Sequence, residues 1–102
     1  MTKERAFEIA TSHARLALHT ITWIGLADGR HLHIQTVFEP DYYEDTPYVC
    51  YIEIQDENGD AEETHTTEPN NISEIAFWIY ELCYALEERE GDTIDEADYE
   101  TV

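Results

Sequence analysis

The sequence predicts an α+β fold: an N-terminal helix, a three- to four-stranded antiparallel meander, and a C-terminal helix packed on one sheet face. Near each end of the chain, a segment without Gly or Pro repeats apolar residues every three or four positions, as amphipathic helices do. Between them, alternating segments flank Asp28-Gly29 and Asn58-Gly59, which are dipeptides typical of hairpin turns. We therefore assign residues 1–91 to a single α+β domain and residues 92–102 to an acidic C-terminal tail.

The first helix is predicted over residues 3–18. Thr2 is a suitable N-cap for the segment KERAFEIATSHARLAL, in which Phe7, Ala10 and Ala14 recur at helical spacing. The periodicity then changes to that of a strand.

The segment HTITWIGLADGRHLHIQTVFE alternates around Asp28-Gly29, which indicates a two-residue type I′ hairpin. That turn pairs Ala27 with Arg30 and places Trp23 opposite Ile34. The face holding Trp23, together with Phe38, is predicted to meet the helices. The opposite face would carry Ile24, Leu26, His31, His33, Gln35 and Val37.

A third strand, YVCYIEIQ, is predicted to direct Tyr48, Cys50, Ile52 and Ile54 into the core. After the Asn58-Gly59 turn, EETHTT lacks a large apolar residue, so it is predicted to be at most an exposed edge strand. Asn71 and Glu74 form a capping-box pattern at the start of the last helix, which is predicted over residues 72–89.

Two cysteines, Cys50 and Cys83, lie within apolar patterns on different elements. We interpret both as reduced core residues rather than as a structural disulfide. The chain has no apolar run approaching the ~18 residues that a membrane span needs, so the cytoplasm is the predicted compartment.

Charge is the most unusual property of the chain, which has a formal net charge of −19. Residues 1–38 carry four basic and three acidic side chains, whereas residues 39–102 carry 21 acidic side chains and Arg89 alone. Contact with phosphates depends on clusters of Lys and Arg, so direct binding of nucleic acid is not expected.

Sites for metals and for catalysis are not predicted. His31 and His33 have a spacing used in metal sites, but no third ligand is indicated, and a surface pair is preferred. Asp56, Asn58 and Asp60 resemble half of a calcium loop, but Ala61 stands where that loop needs Gly, so a turn is preferred. No phosphate loop, nucleophile motif or CxxC pair is present, and we expect neither an enzyme nor a cofactor.

The acidic residues instead suggest a partner. A protein that holds DNA or RNA does so in a groove of Lys and Arg, which fixed carboxylates on another protein could occupy. Tyr42 and Tyr43 would add rigid aromatic contacts. The candidate partner-binding residues are Glu39, Asp41, Tyr42, Tyr43, Glu44 and Asp45 in a proline-bounded loop, Asp56, Glu57, Asp60, Glu62 and Glu63 around the second turn, and Glu87, Glu88 and Glu90 in the last helix.

In its size, its acidic stretch from Glu39 to Val102, its two hairpins and its terminal helix Asn71–Arg89, the chain resembles a class of small acidic inhibitors. These are the anti-CRISPR proteins and other DNA mimics of phages and mobile elements. The resemblance implies stoichiometric inhibition of a host defence nuclease, a CRISPR-Cas effector or a restriction enzyme, by blocking its nucleic-acid-binding surface in the host cytoplasm.

Two other interpretations remain open. The chain is also similar to the immunity proteins that neutralise nuclease toxins. An acidic, lysine-poor surface is also typical of proteins from salt-loving organisms, where it has no inhibitory role. A homodimer is a further possibility, through the mixed face around Ile24, Leu26 and Val49.

Overall fold

The computed structural model describes residues 1–16, 20–26, 29–90 and 95–101, and the side chains of residues 1–15, 21–26 and 29–83. Within these residues the elements are α1 (Lys3–Leu16), β1 (Thr20–Gly25), β2 (His31–Phe38), β3 (Tyr48–Gln55), β4 (Ala61–Thr67), α2 (Ile72–Glu90) and β5 (Asp95–Thr101). The strands form one antiparallel sheet in the order β4-β3-β2-β1-β5. The predicted α+β fold, with a meander between two helices, is confirmed.

Both helices begin at the predicted caps. The Oγ1 atom of Thr2 accepts the N–H of Arg5 at 3.0 Å, and the Oδ1 atom of Asn71 accepts the N–H of Glu74 at 3.3 Å. The side-chain amide of Asn71 also donates to Oε2 of Glu74 at 3.1 Å, which links the two side chains, while the backbone N–H of Asn71 donates to the carbonyl of Glu68 at 3.0 Å. The predicted end of α1 lies outside the described residues, and α2 ends at Glu90, one residue beyond the prediction.

Both helices pack on the same face of the sheet, called here the inner face. The buried apolar residues that join the two layers are Ala6, Ile9, Ala10, Ile24, Leu26, Leu32, Ile34, Cys50, Ile52, Ile54, Ile75, Ile79 and Cys83. The cysteines are free and buried, as predicted. Burial raises the pKa of Cys50 to about 11 and that of Cys83 to about 12, so both thiols stay protonated and unreactive near neutral pH.

The first hairpin differs from the prediction by one residue in register. The N–H of Leu26 donates to the carbonyl of Arg30 at 2.7 Å, and the N–H of Gly29 donates to the carbonyl of Leu26 at 3.0 Å. Leu26 and Arg30 are therefore paired, and three residues separate them. Gly29 is the third of these residues, and its φ of 92° is the positive value that such a loop requires there. In the resulting register, Trp23 lies opposite His33 rather than Ile34.

This shift turns every β1 side chain to the other face of the sheet, because side chains alternate along a strand. The predicted core face of β1 is therefore wrong. Ile24 and Leu26 lie in the core, whereas Trp23 is 45% exposed on the opposite, outer face. Phe38 was also predicted to meet the helices, but it is the last residue of β2 and is 62% exposed.

The second turn uses the same three-residue connection. The N–H of Asp56 donates to the carbonyl of Asp60 at 2.9 Å, and Gly59 has a φ of 87°. The Oδ1 atom of Asp56 accepts the N–H groups of Asn58 and Asp60, which fixes the turn. The turn predicted at Asn58-Gly59 is confirmed, and β4 is the exposed edge strand that was expected.

The segment predicted as an acidic tail contains β5, to which the sequence analysis assigned no structure. β5 pairs antiparallel with β1, so that Thr22 lies opposite Tyr99 and Gly25 opposite Asp95. β1 is therefore an interior strand. In the part of the chain described, no helix is both long enough and apolar enough to cross a bilayer.

Candidate functional site

The structure separates the predicted partner-binding residues into groups at opposite ends of β3. The segment 39–47, called here the acidic loop, leads into Tyr48 at the start of the strand, whereas the turn 56–60 follows Gln55 at its end. Because each strand residue adds about 3.4 Å, these two sites lie roughly 25 Å apart. The acidic residues of the two segments do not form one contiguous patch.

The acidic loop is held against the outer face of the sheet. The Tyr51 hydroxyl lies 2.7 Å from each carboxylate oxygen of Glu39 and donates to them. The Tyr42 hydroxyl lies 3.1 Å from Oγ1 of Thr66, and the ring of Tyr42 contacts that of Tyr43 edge-on at 4.9 Å. These contacts place the loop in one conformation, with Tyr42 exposed at its surface.

Three acids of the loop, Asp41, Glu44 and Asp45, are exposed to solvent. Between described side chains, the close contacts of a basic group with a carboxylate join Arg30 to Glu62 and His65 to Glu63, and neither includes an acid of this loop. Their charges are therefore directed to solvent. The two ends of the loop are joined by a backbone hydrogen bond, in which the N–H of Glu39 donates to the carbonyl of Pro47 at 2.8 Å.

The acids around the second turn are partly engaged within the protein. Asp56 stabilises the turn itself, as described above. Arg30 binds Oε1 of Glu62 at 2.7 Å, and His65, whose ring stacks on Trp78 at 3.6 Å, lies 2.6 Å from Glu63. Among the predicted residues of this group, Glu57 and Asp60 are exposed and have no ion pair with another described side chain.

The third predicted group, Glu87, Glu88 and Glu90, lies in the last part of α2, and its side chains are outside the described set. The helix starts after β4, at the end of the sheet where the acidic loop lies. β5 starts opposite Gly25, at the other end. α2 must therefore carry the chain back along the sheet, which places its last turn at the same end as the turn 56–60.

Sequence reasoning missed a polar network on the outer face of the sheet. The side-chain amide of Gln55 donates to Oε1 of Glu53 at 2.8 Å, and the Thr64 hydroxyl donates to Oε2 of Glu53 at 3.2 Å. The side-chain oxygen of Gln55, Oε1, lies 2.8 Å from Nε2 of His31. Because Oε1 can only accept a hydrogen bond, Nε2 of His31 must carry the proton. Both oxygens of the Glu53 carboxylate are thus held in place.

Beside this network, Trp23 stacks on the His31 ring at 4.6 Å and meets the His33 ring edge-on at 5.6 Å. Burial lowers the pKa of His33, an effect that Glu53 opposes and His31 reinforces, so its ring is neutral at pH 7. The register error hid this cluster from the sequence analysis, because it placed Trp23 in the core. With the correct register, the alternation along β1 and β2 is sufficient to find it.

His31 and His33 share a strand face, as the sequence indicates. Among the residues described, no group of three His, Cys, Asp or Glu side chains is arranged to hold a metal ion. The side chains in contact with His31 are instead the amide of Gln55, which is hydrogen-bonded to it, and the indole of Trp23, which stacks on it.

The hydrogen bond between Tyr51 and Glu39 has a consequence that can be measured. This bond, followed by burial and the nearby negative charge of Glu39, raises the pKa of Tyr51 to about 12 from an ordinary value of 10.0. In the variant Glu39→Gln, the pKa should return toward 10.0, which can be followed by NMR of the phenol carbon during alkaline titration. An unchanged pKa for Tyr51 would show that the loop is not held at this point in solution.

The chain matches no protein-family model, no curated protein and no solved structure. The surfaces described above are therefore the basis for inferring a function. Of these, the acidic loop carries three exposed carboxylates and is hydrogen-bonded to β3 and β4 through Glu39 and Tyr42.

Proposed function

We propose that this protein is a stoichiometric inhibitor that binds the nucleic-acid-binding surface of a basic partner protein. The partner is a host defence nuclease, and a CRISPR-Cas effector is the first candidate, so the protein would act in the host cytoplasm. It would do so as a binding protein, without catalysis, a cofactor, a membrane or direct contact with nucleic acid. The observation that carries the proposal is the acidic loop, where exposed carboxylates are held by a fixed backbone and lack cationic neighbours among the described side chains.

The charge of the chain supports this proposal. Lysines on the surface would relieve the repulsion among the acids, but the segment 39–102 contains only Arg89 as a basic residue. A strong negative field attracts a basic groove at long range and accelerates encounter. The same field repels DNA and RNA, so the competitor of this protein would be the nucleic acid itself.

The fixed geometry of the loop supports tight binding. Glu39 and Tyr42 attach the loop to β3 and β4 through side-chain hydrogen bonds at 2.7 and 3.1 Å. Little conformational entropy is then lost when the carboxylates meet cations, and this preserves binding free energy. Exposed Tyr42 provides an aromatic contact of the kind found at the centres of interfaces.

The test uses guide-loaded CRISPR effectors and restriction nucleases. DNA cleavage should fall to zero at a one-to-one ratio of inhibitor to one of these enzymes, and added target DNA should relieve the inhibition. The affinity should also fall steeply between about 50 and about 200 mM salt, because ion pairs dominate the complex. Full activity of every nuclease at equimolar inhibitor would contradict the proposal.

Neutralising the loop with the triple variant Asp41→Asn, Glu44→Gln and Asp45→Asn should weaken the complex about 100-fold. The reason is that these carboxylates would face buried cations of the partner. Isothermal titration calorimetry measures the change. The matched control, Glu4→Gln, Glu8→Gln and Glu81→Gln, removes the same charge from exposed positions on the helices and should change affinity by less than about fivefold.

Equal weakening by the two triple variants would mean that total charge, and not the loop, determines binding. Unfolding of the wild-type protein in low salt, with recovery in molar salt, would instead favour the interpretation as an acidic surface adapted to salt.

A further inference from the structure

A row of aligned side chains crosses the outer face of the sheet. Trp23 on β1 pairs with His33 on β2, His33 pairs with Glu53 on β3, and Glu53 pairs with Thr64 on β4. Neighbouring strands lie about 4.8 Å apart, so the indole and the carboxylate stand roughly 10 Å apart across the sheet. The helices lie on the opposite face; within the row, Trp23 and Thr64 are exposed, and His33 and Glu53 are partly buried.

The outer-facing positions of β1 to β4 contain no lysine or arginine. They are Ile21, Trp23, Gly25, His31, His33, Gln35, Val37, Val49, Tyr51, Glu53, Gln55, Ala61, Thr64 and Thr66. The acidic loop adds Glu39 to this face through its bond with Tyr51. Glu53 and Glu39 thus place two carboxylates on a face whose strand positions hold no lysine or arginine, so the face is complementary to cations.

The two ends of the row are rigid. Both oxygens of Glu53 accept a hydrogen bond, one from Gln55 at 2.8 Å and one from Thr64 at 3.2 Å. Trp23 is fixed by its contacts with the rings of His31 and His33 but remains 45% exposed. Glu53 is half-buried, which strengthens its attraction for a cation relative to a fully solvated acid. A fixed aromatic ring and a fixed carboxylate on one open face are the elements of a recognition site.

We propose that an arginine-bearing surface of a partner protein docks on this outer face, with guanidinium groups stacking on Trp23 and pairing with Glu53. The inference deepens the proposed function, on which it rests, by naming the surface and the side-chain type that the partner presents. Arginine is favoured over lysine because its planar guanidinium stacks on indole and bonds a carboxylate through two N–H groups. The acidic loop and the turn 56–60 then flank the docked surface at the two ends of β3.

The probe for this inference is a short oligoarginine peptide, titrated into the isotope-labelled full-length protein near physiological salt. The indole N–H resonance of Trp23 and the amides of His33, Glu53 and Thr64 should shift most. An oligolysine peptide of equal length should bind about fivefold more weakly, because it loses the stacking and the forked hydrogen bonds. Shifts confined to the acidic loop and the turn 56–60, or equal binding of the two peptides, would overturn the inference.

Two substitutions test the row directly. Trp23→Ala should weaken oligoarginine binding about fivefold and Glu53→Gln about tenfold. The matched controls on α2 are Phe77→Ala and Glu81→Gln, which remove an exposed aromatic ring and an exposed carboxylate from the other side of the protein. Circular dichroism of each variant verifies that the fold is retained. Equal effects of the row variants and the α2 variants would overturn the inference.

The nuclease assay separates this inference from the function on which it rests. If Trp23→Ala and Glu53→Gln inhibit as well as the wild type while the loop triple variant does not, the outer face is not the docking surface and the inhibitor proposal stands. If the wild type itself inhibits no nuclease but binds oligoarginine at the row, the inhibitor proposal fails and the arginine-binding face stands.

Discussion

Replacing Ile24 with alanine should destabilise the fold by about 3 kcal/mol, whereas replacing its neighbour Trp23 should destabilise it by about 1 kcal/mol. Ile24 is 1% exposed between the sheet and the helices, so its loss leaves a cavity that the packed core cannot refill. Trp23 loses only ring contacts with two histidines on an open face. Urea unfolding of both variants at a fixed salt concentration measures the difference.

The order of these two effects tests the register of the first hairpin. A two-residue turn at Asp28-Gly29 would put Trp23 in the core and Ile24 outside, so Trp23→Ala would then be the more damaging change. Ile34→Ala provides the control, because Ile34 faces the core in either register and should cost about as much as Ile24→Ala. A larger loss for Trp23→Ala than for Ile24→Ala would contradict the observed register.

The second large effect is a loss of folding stability at low pH, and it depends on His13. This residue of α1 is fully buried, its Nε2 atom lies 2.6 Å from Oγ1 of Thr22, and its Nδ1 atom has no hydrogen-bond partner among the described groups. Burial, together with the nearby His33 ring, lowers the pKa of His13 from 6.5 to about 4. The folded protein therefore resists protonation at a position where the unfolded chain accepts a proton readily.

Because the folded pKa lies below the unfolded value, the contribution of His13 to stability is fully present above pH 6.5 and is lost as pH falls toward about 4. The expected loss is about 3 kcal/mol between these limits. Protonation of carboxylates acts in the opposite sense, since it relieves repulsion within a chain of net charge −19. The two effects must be separated by comparing variants.

The double variant His13→Leu and Thr22→Val removes the titrating ring and the hydroxyl that would otherwise lose its partner. Unfolding free energies measured from pH 7 to pH 4 should show that the wild type loses about 3 kcal/mol relative to this variant. His33 and the carboxylates are present in both proteins, so their titration cancels in the difference. Parallel pH profiles for the two proteins would show that His13 is not buried as a neutral ring.

Local sequence patterns were sufficient to locate the two helices and the strands β1 to β4. Thr2 and the pair Asn71 and Glu74 mark the helix starts, because a cap is a contact between residues only three positions apart. The alternation in YVCYIEIQ identified the core face of β3, since Cys50, Ile52 and Ile54 alternate with the more polar Tyr51, Glu53 and Gln55. The absence of a large apolar residue in EETHTT was likewise enough to predict an exposed edge.

The same patterns were not sufficient where both faces of a strand carry apolar or aromatic residues. In β1, Trp23 and Ile24 are both plausible core residues, and the choice between them depends on whether the hairpin loop holds two or three residues. The structure decides it through the hydrogen bond from Leu26 to Arg30, which closes a three-residue loop with Gly29 at positive φ. β5 was missed for a similar reason, because its place depends on the free edge of β1 and not on its own composition.

The sequence by itself determined the sign and amount of charge, the two helices and the approximate positions of β1 to β4, because these follow from residue types and short-range contacts. Only the tertiary structure decided where the charges lie. β3 sets the acidic loop and the turn 56–60 at opposite ends of the sheet, and strand pairing aligns Trp23, His33 and Glu53 in one row. The physical reason is that pairing between strands brings together residues far apart in the chain, and a shift of one residue moves every side chain to the other face.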